Sequence, residues 1–212
     1  MPRTYIRHVK MSKWFPPNDK FAACIARLSI LREDFLLELA GIEAEAISDL
    51  DQGFPEYRRI YFFRNSTRTM FEIASAISIL QQQPEFKRIL AQQSAADKTE
   101  FHSMVRGFNA KHALVKSIRN SIGGHVQQRS VEGALNDCDS DRASFFEVGQ
   151  KRRNVRYRFA GEILVAILVA GIPDSEQASR SEKDLRSLAE LLPALSVVDK
   201  IVEMYLEARG FL

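Results

Sequence analysis

The sequence predicts an all-α protein, a helical bundle, and three observations carry that expectation. Apolar residues return at steps of three and four over long stretches, prolines and a glycine pair punctuate them, and two-residue alternation is confined to one short segment. The chain has 212 residues, 45% apolar and 27% charged, enough for one domain with a sizeable core. We expect an N-terminal arm over 1–18, a helical bundle over 19–172, and a C-terminal helical hairpin over 173–212 packed on the same domain.

The elements follow in order. Trp14-Phe15-Pro16-Pro17 resists helix, because paired prolines remove donors and fix the backbone, so it reads as an ordered arm with its aromatics packed down. Asn18 suits an N-cap, and Asp19 suits the first turn. Phe21, Cys24, Ile25, Leu28, Leu31, Phe35, Leu39 and Ile42 then mark a long amphipathic helix to about Asp49. A second helix starts near Pro55, carries Ile60, Phe63, Thr67, Met70, Ala74 and Ile77 on one face, and ends before Pro84. A short helix spans Pro84 to Gln92, and Ser94 can cap a third long helix from Asp97 to about Ile122, stopped or bent by Gly123-Gly124. Val155, Tyr157 and Phe159 alternate with Asn154, Arg156 and Arg158, the pattern of a short extended segment. Glu162 to Ala170 is apolar all round and predicts a buried helix. Ser181 to Arg209 reads as two helices, with Pro193 opening the second and Leu185, Leu188, Leu192, Leu195, Val198, Val202, Tyr205 and Leu206 as the stripe.

Composition excludes several classes. Cys24 and Cys138 lie far apart and neither belongs to a Cys-x-x-Cys pair, which rules out a disulfide scaffold and a cysteine zinc ribbon. Cys24 falls on the core stripe and reads as a small buried hydrophobe. The strongest apolar run, Ile163 to Ile172, is about half of a membrane span, and the N-terminus lacks an apolar signal core. The expectation is a cytoplasmic protein with no membrane partner. Arginine outnumbers lysine 20 to 10, which suits bidentate contacts to phosphate or carboxylate and equally suits a GC-rich genome.

Familiar catalytic patterns are missing. A carboxylate-bridged metal bundle needs Glu-x-x-His, but Tyr5, Thr99, Asn109 and Ile122 precede the four histidines at that spacing. There is no His-Glu-x-x-His and no glycine-rich phosphate loop with a lysine. We therefore expect no metal and no cofactor.

What remains is the third long helix and its exit. Advancing about 100° per residue from Phe101 places Arg119 almost in line with it and His112 close by, on the stripe of Met104, Val105, Phe108, Val115 and Ile122. A guanidinium is costly to bury unless it meets an anion or a carboxylate. Arg119 either pairs with a glutamate of a neighbouring helix or faces a cleft or subunit seam. Gly123-Gly124 frees His125 from helical geometry and can bring its imidazole round beside that guanidinium, or beside its twin in a dimer. Otherwise His125 is an ordinary helix-end histidine.

Arg119-Asn120-Ser121-Ile122-Gly123-Gly124-His125 resembles the signature of the HEPN superfamily, whose ribonucleases carry arginine, four to six residues, then histidine, with a polar residue straight after the arginine. Arg3 to His8 and Arg106 to His112 share the spacing, but only Arg119 is followed by asparagine at the close of a long amphipathic helix. The resemblance covers roughly 20–170 and implies a bundle of the HEPN type with additional C-terminal helices. It further implies a metal-independent endoribonuclease, often dimeric, that cleaves single-stranded RNA by 2′-hydroxyl attack, in toxin or phage-defence settings. His125 would move the proton, Arg119 would hold the non-bridging oxygens, and Asn120 would orient either.

Charge distribution adds candidates for RNA binding. Residues 102–158 carry eleven Lys or Arg against five Asp or Glu, a local +6 within an overall +3. Lys116, Arg129, Lys151, Arg152, Arg153, Arg156 and Arg158 can follow a phosphate backbone, with Tyr157 available for stacking; a solvated loop and strand would show the same residues. Partners expected are RNA, a second copy of the chain and a regulatory protein. A catalytically silent HEPN module, a nucleic-acid-binding accessory protein and a sensor or antitoxin-like regulator stay open.

Overall fold

In a computed structural model, residues 11–44, 55–120, 128–137, 146–147, 156–169 and 193–210 are described. They form nine helices and one minimal strand pair. One helical turn, α1 (Met11–Trp14), precedes the prolines, so Trp14 is helical where the arm was expected to be irregular. Pro16 and Pro17 act only after it. The aromatics do pack down: Phe15 stacks on Tyr205 at 6.0 Å, and the Tyr205 hydroxyl donates to the Trp14 carbonyl.

The first long helix, α2 (Lys20–Glu43), is capped by Asp19 rather than Asn18. Asn18 adopts φ +64°, a left-handed turn that asparagine tolerates, and Asp19 Oδ1 accepts the Ala22 N–H at 2.9 Å. Burial pushes the Asp19 carboxyl up, but that N–H and the Arg209 guanidinium outweigh it and hold it below the usual range. The helix ends at Glu43, short of the expected Asp49, and 45–54 lie outside the described residues. Arg58 of the next helix donates to the Ala44 carbonyl, setting a cation at this helix's negative end.

α3 (Pro55–Gln82) and α4 (Pro84–Gln92) match their expected bounds. Contacts run antiparallel between α2 and α3. Arg27 meets Glu72 at 2.5 Å, Glu38 meets Thr69 at 3.0 Å, and a Cβ on Gly41 would lie 2.7 Å from the Phe62 ring. Glycine at 41 thus permits the helices to approach closely there.

The expected third helix is two pieces. α5 (Ala95–Ala110) is capped by Ser94, whose Oγ accepts the Asp97 N–H at 3.1 Å. At Lys111 the N–H bonds back three residues to Phe108 at 3.1 Å, and α6 (His112–Ile118) resumes. Gly107 and Asn109, both weak helix formers, sit where the turn tightens. Gly123-Gly124 and His125 lie outside the described residues.

α7 (Gln128–Asp137) precedes the strands β1 (Phe146–Glu147) and β2 (Arg156–Tyr157), which pair antiparallel with Phe146 opposite Tyr157. The extended segment is therefore shorter than its alternation suggested. α8 (Arg158–Val169) already includes Arg158 and Phe159, because a two-residue ladder cannot hold them and the apolar run beyond favours helix. α8 is not buried all round: Leu164 and Ile167 face inward while Val165 is 46% exposed. α9 (Pro193–Ala208) completes the bundle. The first helix of the expected C-terminal hairpin lies outside the described residues, and so does Cys138.

The main core gathers Phe21, Ile25, Leu28 and Phe35 of α2 against Ile73, Ile77 and Leu80 of α3, Phe86 of α4, Phe101 of α5, and Val198, Ile201 and Tyr205 of α9. Cys24 packs at its edge. A smaller cluster of Ala134, Leu164 and Ile167 lies under Ile60, Phe63 and Ile118. No helix of the described residues is long and apolar enough to cross a membrane.

One polar group sits awkwardly in this packing. Glu38 Oε1 accepts from Thr69, while Oε2 is enclosed without a hydrogen-bond partner among the described residues. Burial, helped by Asp34, raises its carboxyl to about 7, against the opposing pull of Thr69 and Arg68. A raised acid contributes its stability fully below the unfolded value of 4.5 and loses it as pH rises toward 7. Glu38→Gln keeps the shape and removes the charge. It should raise stability at pH 8 by about 1 kcal/mol, discounted for partial exposure, and change little at pH 4. Urea midpoints at both pH values check this; a variant that tracks the wild type at pH 8 contradicts it.

Candidate functional site

The site grows from α6 and its C-cap, which place His112, Lys116 and Arg119 at i, i+4 and i+7. That spacing sets all three on one flank, while Val115 turns into the core at 3% exposure. Arg119 holds the C-cap position with helical dihedrals, φ −57° and ψ −42°, so the periodicity persists to the guanidinium. Arg119 and Asn120 continue in a wider turn beyond α6.

The organising side chain is Phe71 of α3. The Arg119 Cζ lies over its ring at 4.8 Å, and the His112 imidazole stacks on the same ring at 5.4 Å with planes 27° apart. Seven helical residues span about 10.5 Å, a gap the Phe71 ring bridges. The face of an aromatic ring attracts a cation and also accepts a flat heterocycle, so one phenyl group orients both.

Among the described residues the Arg119 guanidinium has one hydrogen-bond partner. Its Nη1 donates to Asn120 Oδ1 at 3.2 Å. Nε is enclosed and has no hydrogen-bond partner among the described residues. No carboxylate of the described residues lies within ion-pair distance of Arg119. Glu72, the acid next to Phe71, is instead engaged by Arg27 at 2.5 Å. The guanidinium is thus held by a ring and a neutral amide, and its charge is left uncompensated by protein acids among the described residues.

The other expected site residues scatter. Lys116 is exposed beside His112 and Arg119. Arg129 is exposed in the first turn of α7, whose main neighbour is α8. Arg156 lies on β2 and Arg158 opens α8, while Lys151, Arg152, Arg153 and His125 fall outside the described residues. Phe71 was missed because the core stripe of α3 is carried by Thr67, Met70, Ala74 and Ile77. Its signal was an aromatic just off that stripe.

A separate cleft of about 700 Å³ opens between α2, α5 and α9, with Met104, Val202 and Leu206 among its lining residues. Its cations are already engaged: Arg32 with Asp199 at 2.5 Å and Lys200 with Asp97 at 2.9 Å. These ion pairs tie α2 and α5 to α9 across the cleft. Among the described residues no three His, Cys, Asp or Glu side chains converge to hold a metal ion.

No protein family, no characterised protein and no solved structure matches the chain.

Removing the phenyl ring should release both neighbours. Phe71→Leu is expected to move the His112 ring-proton resonances downfield, as the ring current disappears, and to cost about 1 kcal/mol of stability. Unchanged His112 resonances would contradict the stacking.

Proposed function

We propose that the chain is a metal-independent endoribonuclease of the HEPN type, acting on single-stranded RNA through Arg119, Asn120 and His125. The observation that carries the reading is the state of Arg119: oriented by Phe71 and Asn120, and facing no carboxylate among the described residues. Among the described residues Arg27 and Arg32 meet acids and Arg58 meets a backbone carbonyl, whereas Arg119 has only the Asn120 amide as hydrogen-bond partner. A guanidinium fixed without its own counterion is suited to a phosphate, whose oxygens match its planar fork.

The chemistry follows from RNA itself. The 2′-oxygen attacks the adjacent phosphorus, the bond to the 5′-oxygen breaks, and a 2′,3′-cyclic phosphate and a 5′-hydroxyl result. His125 takes the 2′-proton or delivers one to the departing 5′-oxygen. Arg119 neutralises charge that builds on the non-bridging oxygens, an interaction stronger in the transition state than before it. Asn120 Oδ1 holds Arg119 Nη1, which leaves Nη2 and the outer edge for the phosphate. A second copy of the chain would supply a twin histidine for the opposite proton transfer.

Incubation with single-stranded RNA in EDTA tests this. Cleavage with 2′,3′-cyclic ends is expected, with Arg119→Ala and His125→Ala each lowering the rate about a hundredfold or more. Intact RNA across several substrates sinks the reading. RNA bound but uncut would return the chain to an accessory role. Light scattering should give a dimer at micromolar concentration, and a monomer there removes the two-chain site.

A further inference from the structure

We infer that the flank shared by α3 and α6 is a track for the backbone of single-stranded RNA, in which Arg68 and Lys116 grip phosphates next to the one held by Arg119. The inference rests on the reading of Arg119 as a phosphate-holding group.

Two matching patterns meet at one ring. On α3, Arg64, Arg68 and Phe71 stand at i, i+4 and i+7; on α6 and its C-cap, His112, Lys116 and Arg119 stand at the same intervals. Phe71 locks the two flanks by touching both His112 and Arg119. Arg68 lies one turn before Phe71 and is exposed, and Lys116 lies one turn before Arg119 and is also exposed. Helical steps of three and four residues advance about 4.5 and 6 Å, a spacing comparable to that of successive phosphates on a strand. Arg68 on one wall and Lys116 with Arg119 on the other therefore stand about one helical turn from the shared Phe71 contact, an interval that suits a polyanion.

Among the described residues, the acids nearest Arg68 and Arg119 in sequence or electrostatic reach are otherwise engaged. α6 contains none, and Asn120 beyond it is neutral. Glu72 is paired with Arg27. Glu38, the acid within electrostatic reach of Arg68, is half-buried, hydrogen-bonded to Thr69 and raised to about 7, so it carries less than full charge at neutral pH. Asp34, one turn before Glu38 on α2, is exposed to water. Phe71 and His112, half-buried between the two rows, offer ring edges against which a base can rest.

The test uses the full chain and a fluorescein-labelled 2′-O-methyl oligoribonucleotide, which lacks the attacking hydroxyl and so reports binding alone. Anisotropy titrations from 50 to 200 mM salt give affinity and its salt slope, about 0.7 per phosphate contact on a single strand. Arg68→Ala and Lys116→Ala should each weaken binding about three- to tenfold and each flatten the slope by about 0.7. Arg68→Lys should retain most of the affinity. Arg88→Ala, on the exposed face of α4, removes the same charge elsewhere and should change neither quantity. Wild-type affinity and slope in Arg68→Ala overturn the track, as does an equal loss in Arg88→Ala. With unmodified RNA, Arg68→Ala should raise KM and leave kcat alone. Binding through Arg68 and Lys116 without any cleavage keeps the track and discards the nuclease. Cleavage whose KM ignores Arg68 does the reverse.

Discussion

The antiparallel contact between α2 and α3 fixes everything downstream of it. Gly41 lets the Phe62 ring approach the α2 backbone, Glu38 accepts the Thr69 hydroxyl, and Arg27 pairs with Glu72 at the far end. These three contacts fall along one seam and allow a single register. A slip of one turn would strand the Glu38 carboxyl with no donor and push the Gly41 gap away from Phe62, costs of the kind that packed interiors do not absorb. With α3 held in that register, its opposite flank offers Phe71 to α6. The position of Arg119 is thus decided across the bundle, on the other face of the helix that carries Thr69.

Arginine does different work at different depths in this protein. Arg58 is 6% exposed and reaches a backbone carbonyl at the end of α2. Arg32 and Arg209 tie α2 and its cap to the last helix through Asp199 and Asp19. Arg119 rests on an aromatic face, and Arg68 stands in water. The twofold excess of arginine over lysine is therefore explained at several positions by geometry that a lysine cannot reproduce, namely the bidentate fork and the flat stack. Base composition of the genome need not be invoked for these.

The fold was legible wherever periodicity was long. The stripes of α2, α3 and α9 carry Phe21, Ile25, Phe35, Met70, Ile77, Val198 and Tyr205 into the core, because burial of a continuous face outweighs local preferences. Pro55 and Pro84 set helix starts at the residue. Ends were harder. The Arg58 cap on α2 and the tightened turn at Lys111 depend on partners or hydrogen bonds that no local pattern encodes. For the site, helical spacing alone put His112 and Arg119 on one flank, and that survived the break at Lys111. Phe71 did not show, since an aromatic off the core stripe looks like ordinary surface until a second helix lies against it. The identity of the helix that would do so is tertiary information.

The N- and C-terminal parts of the described chain are knotted together energetically. Arg32 meets Asp199 across 167 positions, Arg209 meets Asp19 across 190, and the Tyr205 hydroxyl meets Trp14 across 191. The apolar face of α2 is closed by a helix made far later. At about 5–20 residues per second of translation, Phe21, Ile25 and Phe35 wait on the order of ten seconds for their cover. Nascent chains in that interval present an amphipathic hairpin with one bare face, a ready ligand for holdase chaperones and a ready nucleus for aggregation. The long-range ties that make the finished bundle cooperative make its biogenesis the exposed stage of its life.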